Sequence, residues 1–180
     1  MATALFITRK QLVQNSILDG NVDTDKFIQF IKIAQEIHIR NYLGTDLYNK
    51  ISTDIAASNL SGDYLTLVRT YIQPMLIHYA MADYIPFAAY QIKNGGVFKH
   101  TSENAETVSK NEIDYLVKKE RDIAEYYTRR FIDFMSFNQS SYPEYTSNTN
   151  EDIDPDKDSL FNGWVLWKEK VNQKIKMCKN

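Results

Sequence analysis

Between Val22 and Leu47 apolar positions recur with helical period, and they recur too densely for a single face. Phe27, Ile28, Phe30, Ile31, Ile33, Ala34, Ile37, Ile39, Tyr42 and Leu43 spread well beyond one stripe. A surface helix normally carries an apolar arc of roughly 100°. This segment is therefore expected at the centre of a bundle, or under contact from another subunit as well as its own chain. Its ends are marked. Asp23 is a candidate N-cap that can accept a first-turn N–H, with Val22 and Phe27 at the staple positions around it. Gly44 follows Tyr42-Leu43, where a helix end needs a residue that takes positive φ.

The flanking segments use the same local grammar. Thr8 can cap a short first helix, and Gln11 can reach back to the Thr8 N–H, with Ile7 and Leu12 as staple. That helix is expected to end near Asp19-Gly20. Asp46 to Ala57 continues as a further helical piece, with Leu47, Ile51 and Ile55 at spacing four. Ser61 opens the next, between Leu60 and Leu65. Leu65, Val68, Ile72, Leu76, Tyr79 and Ala80 then keep helical period. Pro74 and Pro86 each remove a hydrogen bond, at about 3 kcal/mol in a helix interior. A kinked or broken helix is thus expected from 62 to about 93.

Asn94-Gly95-Gly96 ends that run. Val97 to Thr101 is briefly strand-like and Ser102 to Val108 is polar. The stretch reads as an exposed arm or hairpin, or alternatively as a surface loop. Ser109 and Glu112 form a second capping box, with Val108 and Ile113 as staple. The helix behind it carries Ile113, Leu116, Val117, Ile123, Ala124, Tyr127, Phe131 and Phe134 on one face. Lys118, Glu125 and Arg129 lie opposite. The expected fold class is all-α: a small bundle of three to four main helices, a short β-like arm, and an extended C-terminal tail ending in a helix.

Composition changes after Asn138. Residues 139–158 are polar, acidic and marked by proline, and read as an extended linker. Trp164, Trp167, Val171 and Ile175 then recur at spacings of three and four on a short amphipathic helix. Such a helix is marginal alone, so it is expected to dock, with a partner favoured by the tether and the two tryptophans. The expected organisation is a helical domain over 1–138, a linker over 139–158 and a docking helix over 159–180.

Charge and candidate chemistry narrow the function further. The 180 residues carry 21 basic and 23 acidic side chains, a formal net charge of −2. That implies no strong pull on nucleic acid or an anionic membrane. The basic density of Lys118, Lys119, Arg121, Arg129 and Arg130 is interleaved with Glu112, Glu120, Asp122 and Glu125, a solvated face rather than a nucleic-acid footprint. The single cysteine, Cys178, cannot form an internal disulfide and fits a reducing compartment. The N-terminus lacks a secretory pattern, and no apolar run approaches the roughly 20 residues of a membrane span.

Asp152, Asp154, Asp156 and Asp158 alternate like the opening of a calcium loop. Such a loop wants Gly at its sixth position and Glu at its twelfth, and Lys157 and Gly163 stand there. His38, His78 and His100 share no metal-ligand spacing, and Gly95-Gly96 lacks a phosphate-cradle frame. The expectation is a protein with no catalytic residues, no cofactor and no metal. Twelve Tyr and nine Phe supply the large rigid rings that suit cores and interfaces alike.

The order of these elements resembles the head–tail connector (adaptor) proteins of tailed bacteriophages. The matching features are an L-F-I-T-x-x-x-L start at Leu5 to Leu12, a D-x-x-x-(F/I) pattern leading into a long helix at Asp23, and its aromatic-Leu-Gly end at Tyr42-Leu43-Gly44. A kinked second helix, a loop, a long third helix and a tail follow. Leu43-Gly44-Thr45-Asp46-Leu47-Tyr48, Asn94-Gly95-Gly96 and Tyr142-Pro143-Glu144-Tyr145 are similar, more narrowly, to an uncharacterised family from Bacteroides-infecting phages. The likeness covers about residues 5–145, and the segment after Pro155 has no counterpart.

The resemblance implies a structural virion protein, made in the host bacterial cytoplasm, that forms a homo-oligomeric ring, commonly twelvefold, below the portal. The ring would extend the DNA channel without gripping DNA, attach tail or further ring proteins, and involve no membrane. It places Trp164, Trp167, Val171 and Ile175 as docking residues on the portal, and Asn94, Gly95, Gly96, Val97 and Phe98 in an inter-subunit or lumen-facing arm. The over-apolar helix adds Phe27, Phe30, Ile33 and Ile37 as candidate subunit contacts. The competing expectation is another helical interaction or scaffold module, such as a tail-completion protein.

Overall fold

Both capping boxes legible in the sequence are made. The computed structural model describes residues 4–16, 18, 24–88, 90–93, 96–99, 109–147, 149 and 152–158. Helix α1 (Arg9–Gln14) starts at Thr8, whose hydroxyl accepts the Gln11 N–H while Gln11 Oε1 accepts the Thr8 N–H at 2.9 Å. It ends at Gln14, one turn before the expected Asp19-Gly20 stop, where the Asn15 N–H turns back to the carbonyls of Gln11 and Leu12. Ile7 and Leu12 are buried.

The long apolar segment forms α2 (Thr24–Ala34), a wide π-helical turn (Gln35–Ile39) and α3 (Arg40–Ala56). The α3 run is broken at Gly44, with φ 73° and ψ 165°. The expected positive-φ glycine is thus present, and the helical piece expected beyond it is the rest of α3. Asp23 and Val22 lie outside the described residues. The π turn has a visible companion. Gln35 is fully buried; its Oε1 accepts the Phe6 N–H at 2.9 Å, and its Nε2 donates to the Ala4 carbonyl and the Tyr48 hydroxyl. One amide side chain thereby satisfies backbone of the N-terminal segment that no helix or strand would.

The proline-marked run is α4 (Gly62–Leu67), a second π turn (Val68–Ile72) and α5 (Gln73–Ala88). Ser61 stands at the N-cap as expected, without a side-chain capping bond. The Gln73 N–H bonds to the Val68 carbonyl, five residues back. Pro74 follows at once. In a regular helix its ring would crowd the carbonyl four residues earlier, and the widened turn provides room. Pro86 sits in the last turn, and the helix stops at Ala88 rather than near 93.

Tyr90 to Lys93 is instead strand β1, paired antiparallel with β2 (Gly96–Lys99) in the register Tyr90 to Lys99 and Lys93 to Gly96. The arm-or-loop alternative resolves to a hairpin. In sequence the two strands are separated by Asn94-Gly95, a dipeptide strongly preferred between paired strands.

Helix α6 (Lys110–Asn138) opens at the Ser109–Glu112 box and runs 29 residues. It lies antiparallel to α5: Tyr71, just ahead of α5, stacks on Phe134 at 4.3 Å, while His78 meets Glu120 and Tyr127. On another side α5 meets α2 through Phe27–Tyr84 and Phe30–Tyr84 ring contacts at 4.7 and 5.4 Å. The central element is therefore α5, whose Met75, Leu76, Ile77, Tyr79, Ala80, Met81 and Ala82 are all buried. Helix α2 flanks it. The whole is an all-α bundle carrying one small hairpin.

The expected linker over 139–158 is corrected in its described part. Residues 139–141 form a 3-10 turn and Pro143–Ser147 form α7. Tyr142 and Tyr145 are buried, the first edge-on to Tyr64 at 5.4 Å and the second to Phe131 at 6.2 Å. Two aromatic side chains anchor a run whose average composition is polar. Residues 152–158 then lie along α3 as a strap: the Thr45 N–H donates to the Ile153 carbonyl at 3.0 Å, and the Asp156 N–H to the Asn41 carbonyl at 2.9 Å.

Candidate interaction surfaces

The strap is seated by the break at Gly44. A helix interior offers no free N–H or C=O, and the break frees both. The strap takes up the Thr45 N–H and the Asn41 carbonyl. Pro155 lies directly over the glycine; a Cβ added at Gly44 would meet the Pro155 Cδ and Cγ at 2.7 Å. Side chains close the joint. Asp152 accepts from Arg40 Nη2 at 2.6 Å and from the Thr45 hydroxyl at 3.0 Å, Thr45 Oγ1 accepts the Ile153 N–H, and Lys157 sits 5.5 Å over the Tyr145 ring. Asp152 and Asp156 thus spend their carboxylates on their own chain. No cluster of three metal-ligating side chains occurs among the described residues.

The histidines bridge helices. His38, from the first π turn, stacks on Tyr79 of α5 at 4.0 Å with Asp83 3.7 Å from its Nε2. His78 Nδ1 lies 2.7 Å from Glu120 Oε2, and its ring is parallel to Tyr127. His100 and Cys178 lie outside the described residues. Burial, then the neighbouring Tyr79, holds the Tyr42 hydroxyl protonated well above the ordinary tyrosine range. Burial likewise pushes Tyr48 up to about 12. These are the signs of an aromatic core with satisfied hydroxyls. The apolar cleft beside α1, about 260 Å³ and lined by Leu5, Ile7, Leu12, Ile28 and Ile31, has Arg9 as the one charged lining group among the described residues.

Among the candidate contact residues the structure draws a division. Phe27 and Phe30 are corrected: they are core residues of this chain, fully or nearly fully buried against Tyr84. Ile33 and Ile37 keep 44% and 61% of their surface exposed. They sit one turn apart, and Phe87, 58% exposed and 5.5 Å from Phe30, extends the same ridge. Gly96, Val97 and Phe98 belong to β2. Asn94, Gly95, Trp164, Trp167, Val171 and Ile175 lie outside the described residues.

A second exposed surface was not singled out from sequence. Tyr115, Tyr126 and Phe137 are 60%, 58% and 87% exposed on α6. Their spacing of eleven is three helical turns, so they align along one edge. That spacing is present in the sequence, beside the denser apolar face of the same helix. No residue of 110–123 is buried, so the first half of α6 carries Ile113, Leu116, Val117 and Ile123 incompletely covered.

Residues 39–155 match a family of unknown function (DUF6712). The chain belongs to that family. The DUF6712 segment begins at the end of the first π turn and finishes inside the strap, so its two ends are the parts joined at Gly44 and Pro155. No curated protein and no solved structure matches the chain. No described helix is long and apolar enough to cross a membrane.

Proposed function

We propose that this DUF6712 chain is a structural virion protein, a head–tail connector whose copies form a ring below the portal, extend the DNA channel and attach tail components. The observation that carries the reading is a pair of unlike exposed apolar surfaces: Ile33, Ile37 and Phe87, where α2 and the first π turn meet the end of α5, and Tyr115, Tyr126 and Phe137 along α6. A ring is closed by a heterologous interface, in which each copy offers one patch to a different patch on its neighbour. A two-fold dimer would need only one self-complementary patch. Large exposed rings and branched side chains in rows are what such contacts use. The likeness of the Leu5–Leu12 start, the Asp23 entry and the Tyr42–Gly44 end to phage connectors supplies the partner.

The test is assembly with the portal protein of the same phage. Light scattering and negative-stain imaging of the mixture should show rings or ring-bearing portals. Removing residues 159–180 should leave the bundle folded and weaken portal association. A chain that stays monomeric with the portal present overturns the connector reading; if it then binds another tail component, the tail-completion alternative takes its place.

A further inference from the structure

The exposed ridge on α2 has a candidate occupant within the chain. The strap runs antiparallel to α3, from Ile153 beside Thr45 to Asp156 beside Asn41. Ile37 and Ile33 precede Asn41 in the chain, across the first π turn. The strap therefore carries the chain, as far as Asp158, along α3 in the direction of Ile37 and Ile33. Twenty-two residues follow, 159–180. Read as a helix, they place Leu160, Trp164, Trp167, Val171 and Ile175 in a single stripe at spacings of three and four. From Trp164 to Ile175 that stripe is about 16 Å long at 1.5 Å per residue. Ile33 and Ile37 stand about one turn apart, and Phe87, packed against Phe30, lengthens the exposed ridge.

Charge favours the same contact. Five of the 21 basic and one of the 23 acidic residues fall in 159–180, giving that segment +4 and leaving −6 on residues 1–158. A basic amphipathic segment tethered by a strap that leads toward an exposed apolar ridge, on an acidic body, is present at high effective concentration.

We propose that residues 159–180 fold back onto α2 of their own chain, seating the Trp164–Trp167–Val171–Ile175 stripe on Ile33, Ile37 and Phe87. This contact belongs to the free chain and stands whether or not the ring forms; in a ring, a neighbour or the portal would displace the segment.

The two tryptophans are the only ones in the chain, so fluorescence reads the segment alone. In the full-length protein their emission should be shifted to the blue of free tryptophan and shielded from acrylamide. The double variant Ile33→Glu, Ile37→Glu alters two side chains already exposed, so it should leave helicity intact, move the emission to the red and raise quenching. The variant Val171→Asp, Ile175→Asp, which leaves residues 1–158 untouched, should do the same. Tyr115→Glu with Tyr126→Glu, on the other exposed surface, should change nothing. Water-like emission in the unmodified chain overturns the proposal, as does emission indifferent to both Ile33→Glu, Ile37→Glu and Val171→Asp, Ile175→Asp. Emission that turns water-like on dilution also overturns it, by assigning the ridge to a second copy's segment.

Discussion

At the scale of single residues, Gly44 is where conformation and contact coincide. Its φ of 73° with ψ of 165° lies in a region that is essentially glycine-only, and a side chain there costs about 1–3 kcal/mol. A Cβ would also enter the space of the Pro155 ring. Gly44→Ala should therefore destabilise the protein by about 2–3 kcal/mol in urea unfolding, through both effects. The two can be separated. Pro155→Ala removes the ring carbons that the new methyl would strike, so adding it to Gly44→Ala should recover part of the loss. The backbone strain remains and recovery stays incomplete. Full recovery would mean that φ is not the constraint; none would mean that the strap does not bear on Gly44.

At the scale of elements, helix starts were legible because a cap is a local device. Thr8 with Gln11 and Ser109 with Glu112 each need four residues and no tertiary partner. The π turns at 35–39 and 68–72 were not legible, because what rewards them is remote: the backbone of Ala4 and Phe6 for Gln35, and room for Pro74 in the other. The local device still has a limited reach. Helix α6 buries no residue before Ala124, so its first half depends on the Ser109 box more than a core helix would. The Ser109 hydroxyl, then its backbone N–H, holds the Glu112 carboxyl below the ordinary range. A lowered carboxyl pKa contributes above the unfolded value and is lost as pH falls through the folded one. Ser109→Ala should thus speed amide exchange over 110–123 at neutral pH, with Phe131 and Met135 amides little changed. Acidification of the unmodified protein below about pH 4 should mimic it. Uniform acceleration along all of α6 would show instead that the helix opens as one unit.

For the molecule as a whole, the distinction that mattered most was invisible in the sequence: Phe27 and Phe30 pack on Tyr84 of α5, while Ile33 and Ile37, apolar side chains of the same segment, face out. Only the position of α5 decides this, and its prolines had marked it as a broken helix rather than the centre. The aromatic side chains around that centre give the fold a common weakness. Burial raises the pKa of Tyr42, Tyr64, Tyr79 and Tyr142, and brings Tyr48 and Tyr145 to about 12, with Asp156 adding to the effect at Tyr145. An unfolded tyrosine titrates near about 10. Below that pH both states keep the proton and the contribution to stability is complete. Between about pH 10 and pH 12 the unfolded chain releases protons that the folded chain holds, so stability falls with pH through that window. Several tyrosines act together, and the loss should be steep. Urea midpoints measured upward from pH 9 should drop sharply beyond pH 10, and tyrosinate absorbance should rise late and in step with the loss of helical circular dichroism. Early, complete ionisation of all twelve tyrosines in a chain that keeps its helicity would mean that these hydroxyls reach water, and that the bundle is not closed around α5.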